Sequence, residues 1–208
     1  MPVEASFQSA VMPDAYRIAG FRLRTHCLGH ALLLQRLGSP FGNRPLQVSQ
    51  ISDLGARLGD LALAVWICGR SPASALRRLQ LNRSPYELGW IAWKIRRHGL
   101  EKSAQELYTY LAAAWPEMSW WKHNDVATRT LGADIMQRLV LTQRRTGLTL
   151  DESMDVPLAV ALWDHAAVSE ENGAVTLVSE RDRAVQAYYE TMVAAGDLPA
   201  PGTPVRRN

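Results

Sequence analysis

The chain has 208 residues, of which 47% are hydrophobic and 21% charged, a composition that is ordinary for a globular protein with a substantial core. Its formal charge of +3 is too small to indicate nucleic-acid binding, and two cysteines are too few for a disulfide-rich secreted domain. The N-terminus lacks the basic start and apolar block of a signal peptide, and no apolar run reaches the ~18 residues of a membrane span. We therefore expect a cytoplasmic protein.

Caps and helix-spaced apolar residues predict helices along almost the whole chain. Thr25 is the candidate cap of the first helix, and Gly38 is placed where that helix ends. Ser71 followed by Pro72 begins another helix, and the segment TLDE, which starts at Thr149, is a capping box. The predicted helices span about 26–37, 53–68, 72–79, 85–98, 101–115, 124–145, 150–156, 157–171 and 180–195.

The segment SPYE, residues 84–87, contains the clearest helix start in the chain. Ser84 is the expected cap, and Glu87 is at the position from which a carboxylate bonds back to the cap. We expect this helix to pack centrally through four large apolar residues, which are Leu88, Ile91, Trp93 and Ile95.

Strand signals are almost absent, and the segment AVTLV at residues 174–178 is the one good strand candidate. The predicted fold is therefore all-α, a compact multi-helix domain with at most one short strand or hairpin near residues 174–178. We expect a single helical domain over residues 1–196, with a possible sub-boundary near 115–123. Residues 197–208 contain three prolines and little to bury, which predicts a disordered tail.

Two histidines in the segment LRTHCLGH are spaced as zinc ligands on a helix would be. His26 and His30 share one helix face, but a metalloprotease helix needs a glutamate where this chain has Cys27. No third ligand is evident nearby, and the surrounding residues are those of a buried helix. The sequence therefore predicts that the two histidines bind no metal.

No pattern of catalytic chemistry appears elsewhere. The chain has no nucleotide-binding glycine loop, no strand–serine elbow and no nucleophile with an evident base. Its carboxylates near the end of the chain are typical of solvated helix faces. We expect no enzyme activity, no catalytic residues and no cofactor.

A basic stretch around the SPYE helix leaves a second function class open. Two short helices with a tight connection resemble a helix-turn-helix, although cations at helix C-termini also have a structural cause. A DNA-binding protein of this kind would use four arginines, which are Arg77, Arg78, Arg96 and Arg97.

The segment WPEMSWWKH, residues 115–123, carries three tryptophans outside helical periodicity. Such a segment either folds back onto the core or forms a contact surface, because tryptophan contributes strongly to binding energy. The candidate partner-binding residues are Trp115, Met118, Trp120 and Trp121.

Three stretches together resemble a known group of proteins: LGHALLLQRLGSPF (28–41), DLALAVWICGRSPASAL (60–76) and DVPLAVALWDHAAVSEENGAV (155–175). The chain resembles proteins encoded in phage and prophage tail gene clusters that are similar to tail assembly chaperones. The resemblance implies a non-enzymatic protein that binds the tape measure protein or the tail tube protein during tail assembly. It also allows a structural component of the virion tail. A chaperone of this kind needs an apolar groove that accepts amphipathic helices.

Overall fold

The computed structural model describes residues 11, 15–42, 58–81, 85–116, 120–122, 134–173, 175–178 and 180–195. These ranges are mostly helical, which confirms the predicted all-α class. The predicted tail at 197–208 and the predicted cap Ser84 lie outside the described residues. The described helices are α1 (Leu28–Arg36), α2 (Leu58–Cys68), α3 (Pro72–Gln80), α4 (Pro85–His98), α5 (Leu100–Ala113), α6 (Ile135–Arg145), α7 (Leu150–Asp155), α8 (Leu158–Glu171) and α9 (Glu180–Ala195).

Four short strands form two antiparallel pairs in the described residues. Strand β4 (Val175–Leu177) confirms the predicted strand, and it pairs with β3 (Trp120–Lys122) from the tryptophan-rich segment. The hairpin of β1 (Arg17–Ile18) and β2 (Phe21–Arg22) was not predicted, because strands of two residues are too short to show alternation.

Two of the predicted helix caps are confirmed. The hydroxyl of Ser71 accepts from the backbone N–H of Ser74 at 3.4 Å, at the start of α3. At the start of α7, Thr149 and Glu152 form the predicted capping box, in which the Glu152 carboxylate accepts from the Thr149 backbone N–H at 2.8 Å. Each of these caps joins residues three positions apart in the sequence, so it can form whatever the rest of the chain packs against.

The predicted cap at Thr25 is wrong, because α1 begins two residues later with Cys27 at its N-cap. The backbone before α1 is extended and pairs with the connection between α7 and α8. The Leu28 N–H donates to the Val156 carbonyl at 3.0 Å, and the Leu158 N–H donates to the His26 carbonyl at 2.9 Å. These bonds hold residues 25–27 straight and fix the position of His26.

The buried apolar residues form two clusters that meet at α1. The first cluster contains Leu33 and Leu34 of α1 and is otherwise built from residues 18–111, with α2 buried along most of its length. The second contains Leu28 and Ala31 of α1 together with residues of α6 and α8. Helix α1 therefore supports both halves of the core. The single domain with a sub-boundary near 115–123 stays a prediction.

Helix α4 packs as expected except at one residue. Ile91 and Ile95 are buried and Leu88 is half-buried against the first cluster, but Trp93 is 47% exposed. The prediction for Trp93 is wrong because a helix turns about 100° per residue, which places Trp93 about 200° from Ile91 on the opposite side. Its indole ring lies instead under the Arg97 guanidinium, 5.0 Å from the ring centroid.

Candidate functional site

An apolar groove of about 400 Å³ lies between α1, α3 and α7. Leu32 and Leu33 of α1 line one wall, Leu76 of α3 lines the second, and Leu150 and Met154 of α7 line the third. Leu150 is 49% exposed, so this wall presents a large apolar side chain to solvent. Exposed apolar walls around a concave surface are typical of protein-binding sites.

Gly29 explains how the three helices come close enough to form the groove. A Cβ atom at this position would lie 2.5 Å from the Cβ of Pro72 on α3 and 2.9 Å from the Met154 carbonyl oxygen of α7. Only glycine allows α1 to approach both neighbours this closely. In the sequence Gly29 is only a residue that weakens a helix, whereas in the structure it sets the floor of the groove.

The groove has charges of opposite sign on its different walls. Arg36 of α1 and Arg77 of α3 are exposed on two walls, and Asp151 and Asp155 are exposed on the α7 wall. A bound segment would therefore meet cations along one side and carboxylates along the other. This arrangement favours a ligand with apolar residues between two oppositely charged edges.

A group of buried polar side chains lies where the N-terminal end of α1 meets the end of α2. His26 is 3% exposed and His30 is fully buried, as is Cys68 at the end of α2. The ligand atoms of these three residues all lie within 4.8 Å of one another. Sequence spacing did not indicate this third group, because Cys68 follows His26 by 42 residues and reaches it only through tertiary packing.

Hydrogen bonds define the orientation of His30 within this cluster. Its Nε2 lies 2.7 Å from the Arg70 carbonyl oxygen, which can only accept, so Nε2 carries the proton. Its Nδ1 accepts from the Cys27 backbone N–H at 3.3 Å and lies 3.2 Å from the Cys27 Sγ. His30 thus bonds back to the N-cap backbone of α1, as a glutamate does in a capping box.

Burial keeps the cluster uncharged near neutral pH. It lowers the pKa of His26 to about 3 and also lowers the pKa of His30. It raises the pKa of the Cys27 thiol to about 11 and that of the Cys68 thiol to about 12. Near neutral pH the two imidazoles are therefore neutral and the two thiols are protonated.

Helix α4 carries a different arrangement on its outer side. Tyr86, Trp90 and Trp93 are 94%, 54% and 47% exposed. The Lys94 ammonium lies 5.5 Å from the Trp90 ring centroid. These rings make α4 a second apolar surface.

The capping box predicted for α4 pairs Glu87 with Ser84, which lies outside the described residues, so it stays a prediction. Among the described residues, Glu87 binds three side chains from α2, its C-terminal end and α3. Its carboxylate accepts from the indole Nε1 of Trp66 at 2.6 Å and from Arg70 at 2.8 Å, and it also binds Arg78. The structure thus connects Glu87 to α2 and α3. Two of the four arginines of the DNA-binding alternative have partners within the chain: Arg78 forms an ion pair with Glu87, and the Arg97 guanidinium lies over the Trp93 ring. DNA binding through these arginines stays a prediction.

The tryptophan-rich segment divides between core and strand. Trp115 is half-buried and packs against the second cluster, whereas Trp120 and Trp121 belong to β3. Met118 lies outside the described residues. The contact surface predicted for Trp120 and Trp121 stays a prediction, and Trp115 contributes to the core.

Comparison with protein-family models, with curated proteins and with solved structures finds no match for this chain. In the described part of the chain, no helix combines the length and the apolar character that crossing a bilayer requires.

Proposed function

We propose that this chain is a non-enzymatic binding protein, similar to a tail assembly chaperone, that holds an amphipathic helix of a phage tail protein in the groove between α1, α3 and α7. The tape measure protein is the first partner to test, and the tail tube protein is the second. The observation that carries the proposal is an apolar groove with cations on two walls and carboxylates on the third.

The lining of the groove suits an apolar helix face better than a small polar ligand. Leucine and methionine side chains form its apolar part, and methionine adapts its shape to different apolar partners. An amphipathic helix places apolar residues at i, i+3 or i+4, and i+7 on one face, and these would enter the groove.

The charges on the walls determine which helix fits. A segment with acidic residues on one flank would pair with Arg36 and Arg77, and basic residues on its other flank would pair with Asp151 and Asp155. Such pairs contribute more to orientation and selectivity than to total affinity. The helix would therefore bind in one direction.

A binding experiment with substitutions at Leu150 tests this proposal. Fluorescence anisotropy would be measured with labelled helical segments of the tape measure protein from the same gene cluster. We expect Leu150→Glu to weaken binding roughly thirtyfold or more, because it places a charge in the apolar wall. Leu141→Glu is the matched control, since Leu141 on α6 has the same 49% exposure but does not line the groove.

Charge reversal adds a test of orientation. Arg77→Glu should weaken a peptide with an acidic flank, and reversing that flank to lysine should restore part of the lost affinity. Equal losses in the Leu150→Glu and Leu141→Glu proteins, or the absence of saturable binding by any tail-protein segment, would contradict the proposed function.

A further inference from the structure

We propose that His26, Cys27, His30 and Cys68 form a buried, four-ligand structural metal site of the kind that binds zinc. The site is independent of the proposed binding function, because none of its ligands lines the groove. The sequence favoured the opposite interpretation, that His26 and His30 bind no metal, because no third ligand was evident nearby. Cys68 supplies that ligand, and the ligand atoms of His26, His30 and Cys68 lie within 4.8 Å of one another.

The distances between paired ligand atoms suit tetrahedral coordination. Zinc lies about 2.3 Å from a thiolate sulfur and about 2.0–2.1 Å from an imidazole nitrogen, which places sulfur and nitrogen about 3.6 Å apart in a tetrahedron. The His26 Nδ1 is 3.7 Å from the Cys68 Sγ, and the His30 Nδ1 is 3.2 Å from the Cys27 Sγ. The first pair has the separation that a shared metal ion requires. The second pair would have to widen by about 0.4 Å, and the Cys27 sulfur would have to move closer to His26 and Cys68, because it is not among the three residues whose ligand atoms lie within 4.8 Å of one another.

The hydrogen bond from the His30 Nε2 to the Arg70 carbonyl is of the kind that a metal-bound histidine usually makes. A ligating imidazole usually donates its second N–H to a carbonyl or a carboxylate, which orients the ring and leaves the other nitrogen free to bind metal. His30 donates its Nε2–H to the Arg70 carbonyl at 2.7 Å and directs Nδ1 toward Cys27. A metal ion at Nδ1 would replace the long 3.3 Å bond from the Cys27 backbone N–H.

The ligand set also balances the charge of a buried divalent ion. A lone dication in an apolar interior is strongly unfavourable, whereas two thiolates neutralise it and two neutral imidazoles complete the coordination. Each thiol releases its proton to solvent as its sulfur binds the metal. Because the ligands are buried, we expect the ion to enter during folding, when the segment before α1 closes onto the end of α2.

Loading during refolding tests the site without any variant. The wild-type chain would be unfolded in reductant and chelator, refolded with one equivalent of Zn²⁺ or Co²⁺, and analysed by native mass spectrometry and absorption. We expect a mass increase of one metal ion, a strong visible spectrum of tetrahedral Co²⁺ and a thiolate-to-cobalt charge-transfer band in the near ultraviolet. A folded wild-type chain that takes up no metal would overturn the proposal.

Substitution then assigns the ligands. Cys68→Ala should abolish the charge-transfer band or reduce it to that of one thiolate, with at least a tenfold loss of affinity. His165→Ala should leave both spectra unchanged, since His165 is a half-buried histidine outside the cluster. Unchanged cobalt spectra in Cys68→Ala would refute the site. If Cys68→Ala does not fold, the wild-type spectrum decides, and bound cobalt without a thiolate band refutes the site equally.

Discussion

The two sides of α1 each carry a residue of a kind unusual for its position. On the inner side, His30 is fully buried near thiols among the apolar core residues, whereas on the outer side the half-buried Leu32 lines a groove open to solvent. Buried polar groups are tolerated when they are hydrogen-bonded, and exposed apolar walls are typical of surfaces that bind partners. The inner side should therefore control stability, and the groove should control binding.

The two sides also differ in how much freedom their residues have. The inner cluster is held by bonds to backbone atoms, such as that from His30 to the Arg70 carbonyl. The groove walls are held by side-chain packing, and Leu150 is half exposed. Substitutions should thus have large structural effects inside and small structural effects in the groove walls, with the close contact at Gly29 as the exception.

His30→Ala should give the largest loss of stability. It removes a buried ring, leaves the Arg70 carbonyl without the imidazole donor and removes the bond to the α1 N-cap. We expect a loss of about 3–4 kcal/mol in the free energy of unfolding, measured by urea denaturation in chelator. His165→Ala, at a half-buried histidine, should cost about 1 kcal/mol. Equal losses of unfolding free energy in the two variants would show that His30 contributes no more to stability than an ordinary half-buried histidine.

Gly29→Ala should have the next largest effect. The added Cβ would meet Pro72 and the Met154 carbonyl well inside normal contact distances, so α1 must move away from α3 and α7. We expect a loss of about 1–3 kcal/mol in spite of the higher helix propensity of alanine. Gly59→Ala on α2 is the matched control. Among the described residues, no atom outside its own helix backbone and its chain neighbours lies within 4 Å of the added Cβ, so this change should stabilise the helix slightly. A stable Gly29→Ala protein would contradict the close approach of the three helices.

Local signals in the sequence predict the helices well and the site poorly. The caps at Ser71 and Thr149 depend on residues within three positions, so their chemistry is visible in the sequence. Cys68 joins His26 across 42 residues, and that proximity arises only when α2 packs beside α1. The same applies to the contacts of Glu87 with Trp66, Arg70 and Arg78, because these residues lie on other helices or at their ends and no local spacing places them beside Glu87.

The position of the groove could not be predicted for a related reason. Leu32, Leu76 and Met154 each follow ordinary helical spacing, and nothing in that spacing shows which side of a helix remains uncovered. The opposite charges on its walls come from three separate helices. The resemblance to tail assembly chaperones predicted that a groove should exist, but not which helices would form it.

The smallest expected effect concerns Glu87, which connects the surface to the inner cluster through Arg70. The indole N–H of Trp66 and the guanidinium groups of Arg70 and Arg78 stabilise its charged form and lower its pKa. A carboxyl whose pKa is lower in the folded chain contributes stability above its unfolded pKa and loses that contribution as the pH falls through its folded pKa. The contribution of Glu87 should therefore be complete at neutral pH and disappear in acid.

Glu87→Gln measures this contribution directly. We expect the variant to be slightly less stable than wild type near pH 7, because glutamine keeps the shape of the side chain but loses its charge. The difference in urea midpoint should shrink steadily below the usual pKa range of glutamate, since the wild-type carboxylate is then protonated as well. Glu101→Gln, at an exposed glutamate in the first turn of α5, controls for the general effect of removing a charge. A stability difference that is the same at neutral and acidic pH would show that Glu87 acts through packing alone. The Arg70 carbonyl would then hold His30 without any contribution from the charge of Glu87.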